Sequence, residues 1–176
     1  MAALDDVPTL RQRVLPLVIF GWIVAAIRLA LDAGWPEATV TWYFGLFVLM
    51  PVAIAVIGLR GRWGPIPWLR MAGTMVVVAL LVWGIGNAIA YTVAQFAGWQ
   101  HGRFAPGVEV VGADGTTVRE GGRSAPLQDT AIAKLGVGLL HGLLSSVAAS
   151  VWCTVFGTLL VWLPARLRGT PTPRAA

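Results

Sequence analysis

Four long apolar runs set the terms for this chain: VLPLVIFGWIVAAIRLAL (14–31), TWYFGLFVLMPVAIAVIGL (41–59), MAGTMVVVALLVWGIGNAIAYTVAQFA (71–97) and LGVGLLHGLLSSVAASVWCTVFGTLLVWL (135–163). A bilayer hydrocarbon core about 30 Å thick takes roughly 20 apolar helical residues at 1.5 Å each, and every run reaches or approaches that length. The polar remainder cannot clothe a soluble globule, because 57% of the 176 residues are hydrophobic and only 12% charged. Mean hydropathy is +0.74. The expected fold is an all-α integral membrane protein, a single domain over 1–176 built as a bundle of four transmembrane helices.

The net charge of +5 would suggest nucleic acid in a soluble protein. Here the arginines lie in short segments between apolar runs, a pattern that sets topology and does not bind nucleic acid. Arg11, Arg13, Arg60, Arg62, Arg70, Arg166, Arg168 and Arg174 fall on one side, against Arg103, Arg119, Arg123 and Lys134 on the other. Both termini are expected in the cytoplasm. Lys134 is the one lysine among 13 basic residues, and Ala, Gly, Val and Pro are abundant, which fits a GC-rich bacterial genome and a bacterial inner membrane. Asp5 and Asp6 precede the first arginines, and Trp22 and Arg28 interrupt the first run, so it reads as a retained helix and not as a cleaved signal.

Tryptophans are expected at the boundaries: Trp63, Trp68 and Trp162 inside, Trp35, Trp42 and Trp99 outside, with Trp22, Trp83 and Trp152 packed between helices. Pro51 should kink the second span or free one backbone group. The outer loop, 98–131, contains VEVVGADGTTVRE, whose alternation about a Gly-Ala-Asp-Gly turn predicts a short β-hairpin between spans three and four. Spans three and four exceed the bilayer length, so apolar residues at their tops, among them Phe96, Trp99, Leu135 and Leu139, call for a covering surface.

Counting helical rise from the inner boundary puts Arg28, Tyr43, Asn87, Ser146 and Ser150 in one layer at roughly 20–25 Å. An Arg in hydrocarbon must snorkel or pair. Asp32, four residues on, offers an i to i+4 ion pair; the competing expectation is a polar pocket lined by Arg28, Tyr43 and Asn87. Trp83, Asn87, Tyr91 and Gln95 form a stripe at spacing four, beside Gly84, Ala88 and Thr92. Gly138, Gly142, Ser146 and Ser150 repeat small residues at the same spacing, which predicts close packing of span four on span three, or a homo-oligomer contact. His141 falls at the outer edge of span four, level with Tyr91 and Gln95, toward which it should reach.

Chemistry-bearing patterns are scarce. The chain has no HExxH, CxxC, GxSxG or P-loop, and GVGLLHG has the wrong spacing for a dinucleotide fingerprint. The single Cys153 reads as a packing residue. His101 and His141 are the candidate metal or haem ligands. A straight third helix places them roughly 12 Å apart in height, too far for one iron. The expected protein is thus not an enzyme and has no cofactor of its own. It is read as an accessory or structural subunit of a bacterial membrane complex, with lipids and other membrane subunits or further copies of itself as partners. Two alternatives stand beside that: a carrier or channel for an anionic small molecule, lipid or ion at the Arg28 layer, and a haem- or quinone-associated redox subunit.

Overall fold

The computed structural model describes residues 8–34, 45–60, 62–105, 107–111, 117–121 and 125–168. It is helical: α1 spans Leu10–Gly34, α2 Leu46–Leu59, α3 Trp68–Ala97 and α4 Ala131–Arg168. Three of these, α1 with 25 residues, α3 with 30 and α4 with 38, are long and apolar enough to cross a membrane. α2 has 14 residues, and the start expected for it at 41–44 lies outside the described residues, as do Trp35 and Trp42. The strands β1 (Gly107–Val111) and β2 (Thr117–Gly121) pair antiparallel, Val110 opposite Val118. The turn expected at 112–115 lies outside the described residues. α4 begins at Ala131, before the span expected from 135, with the Thr130 hydroxyl accepting from the Ala133 N–H at 3.2 Å as an N-cap.

Local chemistry sets the helix ends. α1 opens with a reciprocal box in which the Thr9 N–H donates to Gln12 Oε1 at 2.8 Å and the Gln12 N–H donates to Thr9 Oγ1 at 3.3 Å. α3 stops at Gly98, whose φ of +73° suits glycine and turns the chain back over the bundle. At the arginine-rich end, Arg168 Nη2 donates to the Gly58 carbonyl at 3.0 Å and so caps the negative end of α2.

Two helices carry a π-helical turn, Leu80–Gly84 in α3 and Thr158–Trp162 in α4. A π turn disturbs the backbone ladder, and proline deletes one bond of it. Tryptophans answer both. The Trp22 indole donates to the Leu81 carbonyl inside the first π turn at 3.0 Å. Pro51 has no N–H to give the Phe47 carbonyl, and the Trp152 indole supplies one at 3.0 Å. α2 therefore runs on through Pro51. These two tryptophans were expected deep between helices; they are 45% and 39% exposed, because each lies across a neighbouring helix to reach its carbonyl. Trp63 is buried with Ile66 where the α2–α3 connection folds under the core.

The main core joins Val14, Leu17 and Val24 of α1, Met50 and Ile54 of α2, Met71, Met75, Val78 and Trp83 of α3, and Ala149 and Cys153 of α4. Along the α3–α4 seam the small-residue ridges meet within the chain. A methyl group on Gly138 would stand 2.6 Å from the Ala88 carbonyl oxygen and collide with the Thr92 side chain. One on Gly142 would collide with the Gly84 carbonyl and stand 2.9 Å from Ala88 Cβ. The contact admits no Cβ, and it is intramolecular.

Candidate functional site

At the end of the bundle where the strands lie, the chain that follows α3 folds back onto the helices. Gly102–Phe104 makes one 3₁₀ turn, and Phe104 is buried against Ala90 and Ala94, with Leu29, Tyr91 and Trp99 around it. This plug fixes the preceding residue. Arg103 Nη2 and Nε reach Asp32 Oδ2 at 2.7 and 2.8 Å, and Arg103 Nη1 donates to Asn87 Oδ1 at 3.3 Å. The Arg103 guanidinium also lies 4.8 Å from the Phe104 ring centre. With side chains 15% and 6% exposed, the pair is largely sheltered, Asp32 buried and Arg103 half-buried. The expected Arg28–Asp32 pair is therefore not formed. Arg103 takes the carboxylate because Phe104 packs the turn directly over the end of α1, whereas an i to i+4 pair has only two flexible side chains to hold it.

Arg28 is left lining a cavity of about 180 Å³. The wall is formed by Trp22, Ala25 and Leu29 of α1, Leu46 and Phe47 of α2, Trp83, Gly86, Asn87 and Ala90 of α3, and Arg103. Two of these residues bury a donor that meets no acceptor, Arg28 Nε and Trp83 Nε1, and Trp83 is 1% exposed. Leaving such groups unanswered costs on the order of 1–3 kcal/mol each. Among the described residues the nearby charges are Arg28 and Arg103 against Asp32, which leaves one positive charge, and Asp32 is already engaged by Arg103. Apolar walls, one uncompensated guanidinium and donors without acceptors suit an anion with an apolar tail.

The predicted layer divides on the structure. Arg28 and Asn87 share the cavity. Ser146 and Ser150 do not: their hydroxyls donate to the Leu143 and Ser146 carbonyls at 2.7 Å, and Ser146 is buried in the α3–α4 seam opposite Gly84. Serine hydroxyls in apolar helices bond back to their own turn when no other acceptor is near, which removes both from the site. Tyr43 lies outside the described residues. Arg103, Trp22, Phe47 and Trp83 were not foreseen as site residues. The signals were an acidic residue ending α1 without a distant cation assigned to it, and an Arg-Phe pair just past a helix-terminating glycine.

The polar stripe on α3 serves several neighbours. Tyr91 stacks on His141, ring centres 3.9 Å apart, and donates its hydroxyl to the Arg103 carbonyl at 3.3 Å. Gln95 fastens the chain entering α4, donating to the Pro126 carbonyl at 3.2 Å and accepting from the Gln128 N–H at 2.9 Å. The segments 99–105 and 125–128 thus fold onto α3 around Ala90, Ala94 and Gln95, whereas Phe96, Leu135 and Leu139 stay exposed.

His141 meets the Tyr91 level, as its position in α4 suggested, with Nδ1 2.9 Å from the Val137 carbonyl. His101 lies beside Trp99, ring centres 6.0 Å apart, at the other end of an aromatic chain that runs through Phe104 and Tyr91 to His141, so the two imidazoles do not meet. Among the described residues no three His, Cys, Asp or Glu side chains gather as a metal site. Compared with protein-family models, curated proteins and solved structures, the chain shows no significant match to any.

Proposed function

We propose that this is a four-span bacterial inner-membrane protein that binds an anionic amphiphile in the Arg28 cavity, as a small carrier or binding protein with no catalysis of its own. The Arg28 guanidinium, its Nε buried without an acceptor in an apolar-walled cavity, is the observation that carries this reading. Arg28 holds the carboxylate or phosphate head, Asn87 and Arg103 orient it, and Trp22, Phe47 and Trp83 line the first methylenes. Size narrows the class. About 180 Å³ holds on the order of six water-sized groups, below the roughly 300 Å³ at which drug-sized sites begin. A head and short stem fit; the rest of the chain would leave past Trp22 and Ile89, which are 45% and 48% exposed.

In this reading α2 is completed into a fourth span by the residues before Leu46, β1 and β2 close as a hairpin on the outer side, and the arginine-rich end faces the cytoplasm. Titrating a brominated fatty acid into the protein in neutral detergent should quench tryptophan fluorescence through Trp22 and Trp83. Arg28→Leu should weaken that binding at least tenfold while helical content is kept, on the basis of about 1.5–3 kcal/mol for a charged hydrogen bond. Equal quenching by a brominated alcohol of the same length would defeat the reading.

A second reading, an accessory subunit of a larger membrane complex, draws on Ile132, Leu135 and Leu139, which are 84%, 47% and 67% exposed. They lie beyond the roughly 20 residues of α4 that fill a bilayer when counted back from Leu163. The mass of the same detergent preparation separates the two readings. A stable monodisperse monomer with no companion counts against the subunit.

A further inference from the structure

At the opposite end of the bundle a second cleft, of about 570 Å³, opens between the start of α1 and the start of α3. Its lining includes Thr9, Leu10, Arg13, Arg70, Thr74 and Val77. Arg13 is only 6% exposed, yet its Nε and Nη1 are buried without an acceptor. Arg70 brings a second guanidinium to the same cleft, and among the described residues no carboxylate lines it. The Thr74 hydroxyl is spent on the Arg70 carbonyl at 2.7 Å, so recognition rests on the two arginines. The capped N-terminus of α1 adds its positive dipole end to them.

We propose that this cleft binds the phosphate of an anionic phospholipid headgroup. Two like charges held together with unanswered donors are destabilising alone and are relieved by one shared anion, which arginine forks meet in bidentate fashion. Free phosphate would satisfy the guanidiniums equally. The lipid is preferred because the cleft is flanked by apolar side chains, Leu10 and Val77 in its wall and Val76 exposed beside it, that continue along membrane-length helices. Acyl chains lie there as the headgroup docks between transmembrane helices. The site is independent of the Arg28 cavity.

The test is lipid retention by the full-length protein in neutral detergent, read by native mass spectrometry with dioleoyl phosphatidylglycerol and dioleoyl phosphatidylcholine. Phosphatidylglycerol should be retained in preference. Arg13→Gln and Arg70→Gln should each lower its occupancy about tenfold, and Arg62→Gln, at the same end but outside the cleft, should not. Arg70 is exposed, so Arg70→Gln remains decisive if Arg13→Gln fails to fold. Equal retention of the two lipids, unchanged binding in Arg70→Gln, or displacement of the lipid by millimolar inorganic phosphate would overturn the proposal. So would a severalfold gain in binding on Asp5→Asn with Asp6→Asn, which would assign the cleft to the chain's own carboxylates.

Discussion

Replacing Arg103 with Leu is expected to cost about 3–5 kcal/mol of stability, the range for removing one partner of a buried ion pair. Asp32, its side chain 6% exposed, would lose both guanidinium contacts that hold its carboxylate. The same change frees Asn87 Oδ1 and removes the cation that lies over Phe104. Unfolding of the purified protein in detergent, followed by the loss of helical signal, reads the effect directly. Changing both partners, Asp32→Leu with Arg103→Leu, should recover most of the loss, since an apolar pair of similar volume is often neutral in such a place. A loss under about 1 kcal/mol for Arg103→Leu alone would show that Arg28, one turn from Asp32, has swung onto the carboxylate. In that event the cavity would lose its free charge, and anion binding would fall with it.

The second large effect lies in the α3–α4 seam. Gly142→Ala should destabilise by about 1–3 kcal/mol, because the added methyl presses on the Gly84 carbonyl and on Ala88 Cβ, and backbone cannot swing aside as a side chain can. Six residues earlier in the chain, a Cβ at Gly136 of α4 meets nothing within 4 Å. There the identical substitution should stabilise by about 0.5–1 kcal/mol, the gain of Ala over Gly in a helix. Equal effects at the two positions, in the same unfolding measurement, would mean that the seam is not tightly closed.

Both results bear on what could be read from the amino-acid order. The seam was legible because small residues at spacing four on two neighbouring spans have one efficient use, close approach, and Gly138 and Gly142 do meet Ala88 and Gly84. Helix positions followed from apolar length, though not their ends, which are set by caps such as Thr130 and Gly98. Arg103 entered only as a charge in the topology count. Its partner lies 71 residues away, and local spacing rules rank the nearer Arg28 first. What brings Arg103 to Asp32 is the burial of Phe104, a packing event with no periodic trace. The same holds for Pro51 and Trp152: a carbonyl without a donor could be inferred, but the donor 105 residues later could not. Ser146 and Ser150 show the opposite error. Depth placed them level with Arg28, yet depth says nothing about azimuth, and their face of α4 turns toward α3.

Azimuth is also where the π turn in α3 has its consequence. One surplus residue in a helix is a phase slip of about 100°, the angle one residue occupies. The slip at Leu80–Gly84 falls between the part of α3 that packs Met71 and Met75 into the core and the part that carries Gly86, Asn87 and Ala90 to the cavity and Gly84 and Ala88 to the seam. α3 therefore behaves as two keys cut on one shaft, each turned to its own lock. Excision of a single residue at the slip would leave every side chain chemically intact and rotate the strand-end half out of alignment with both locks at once.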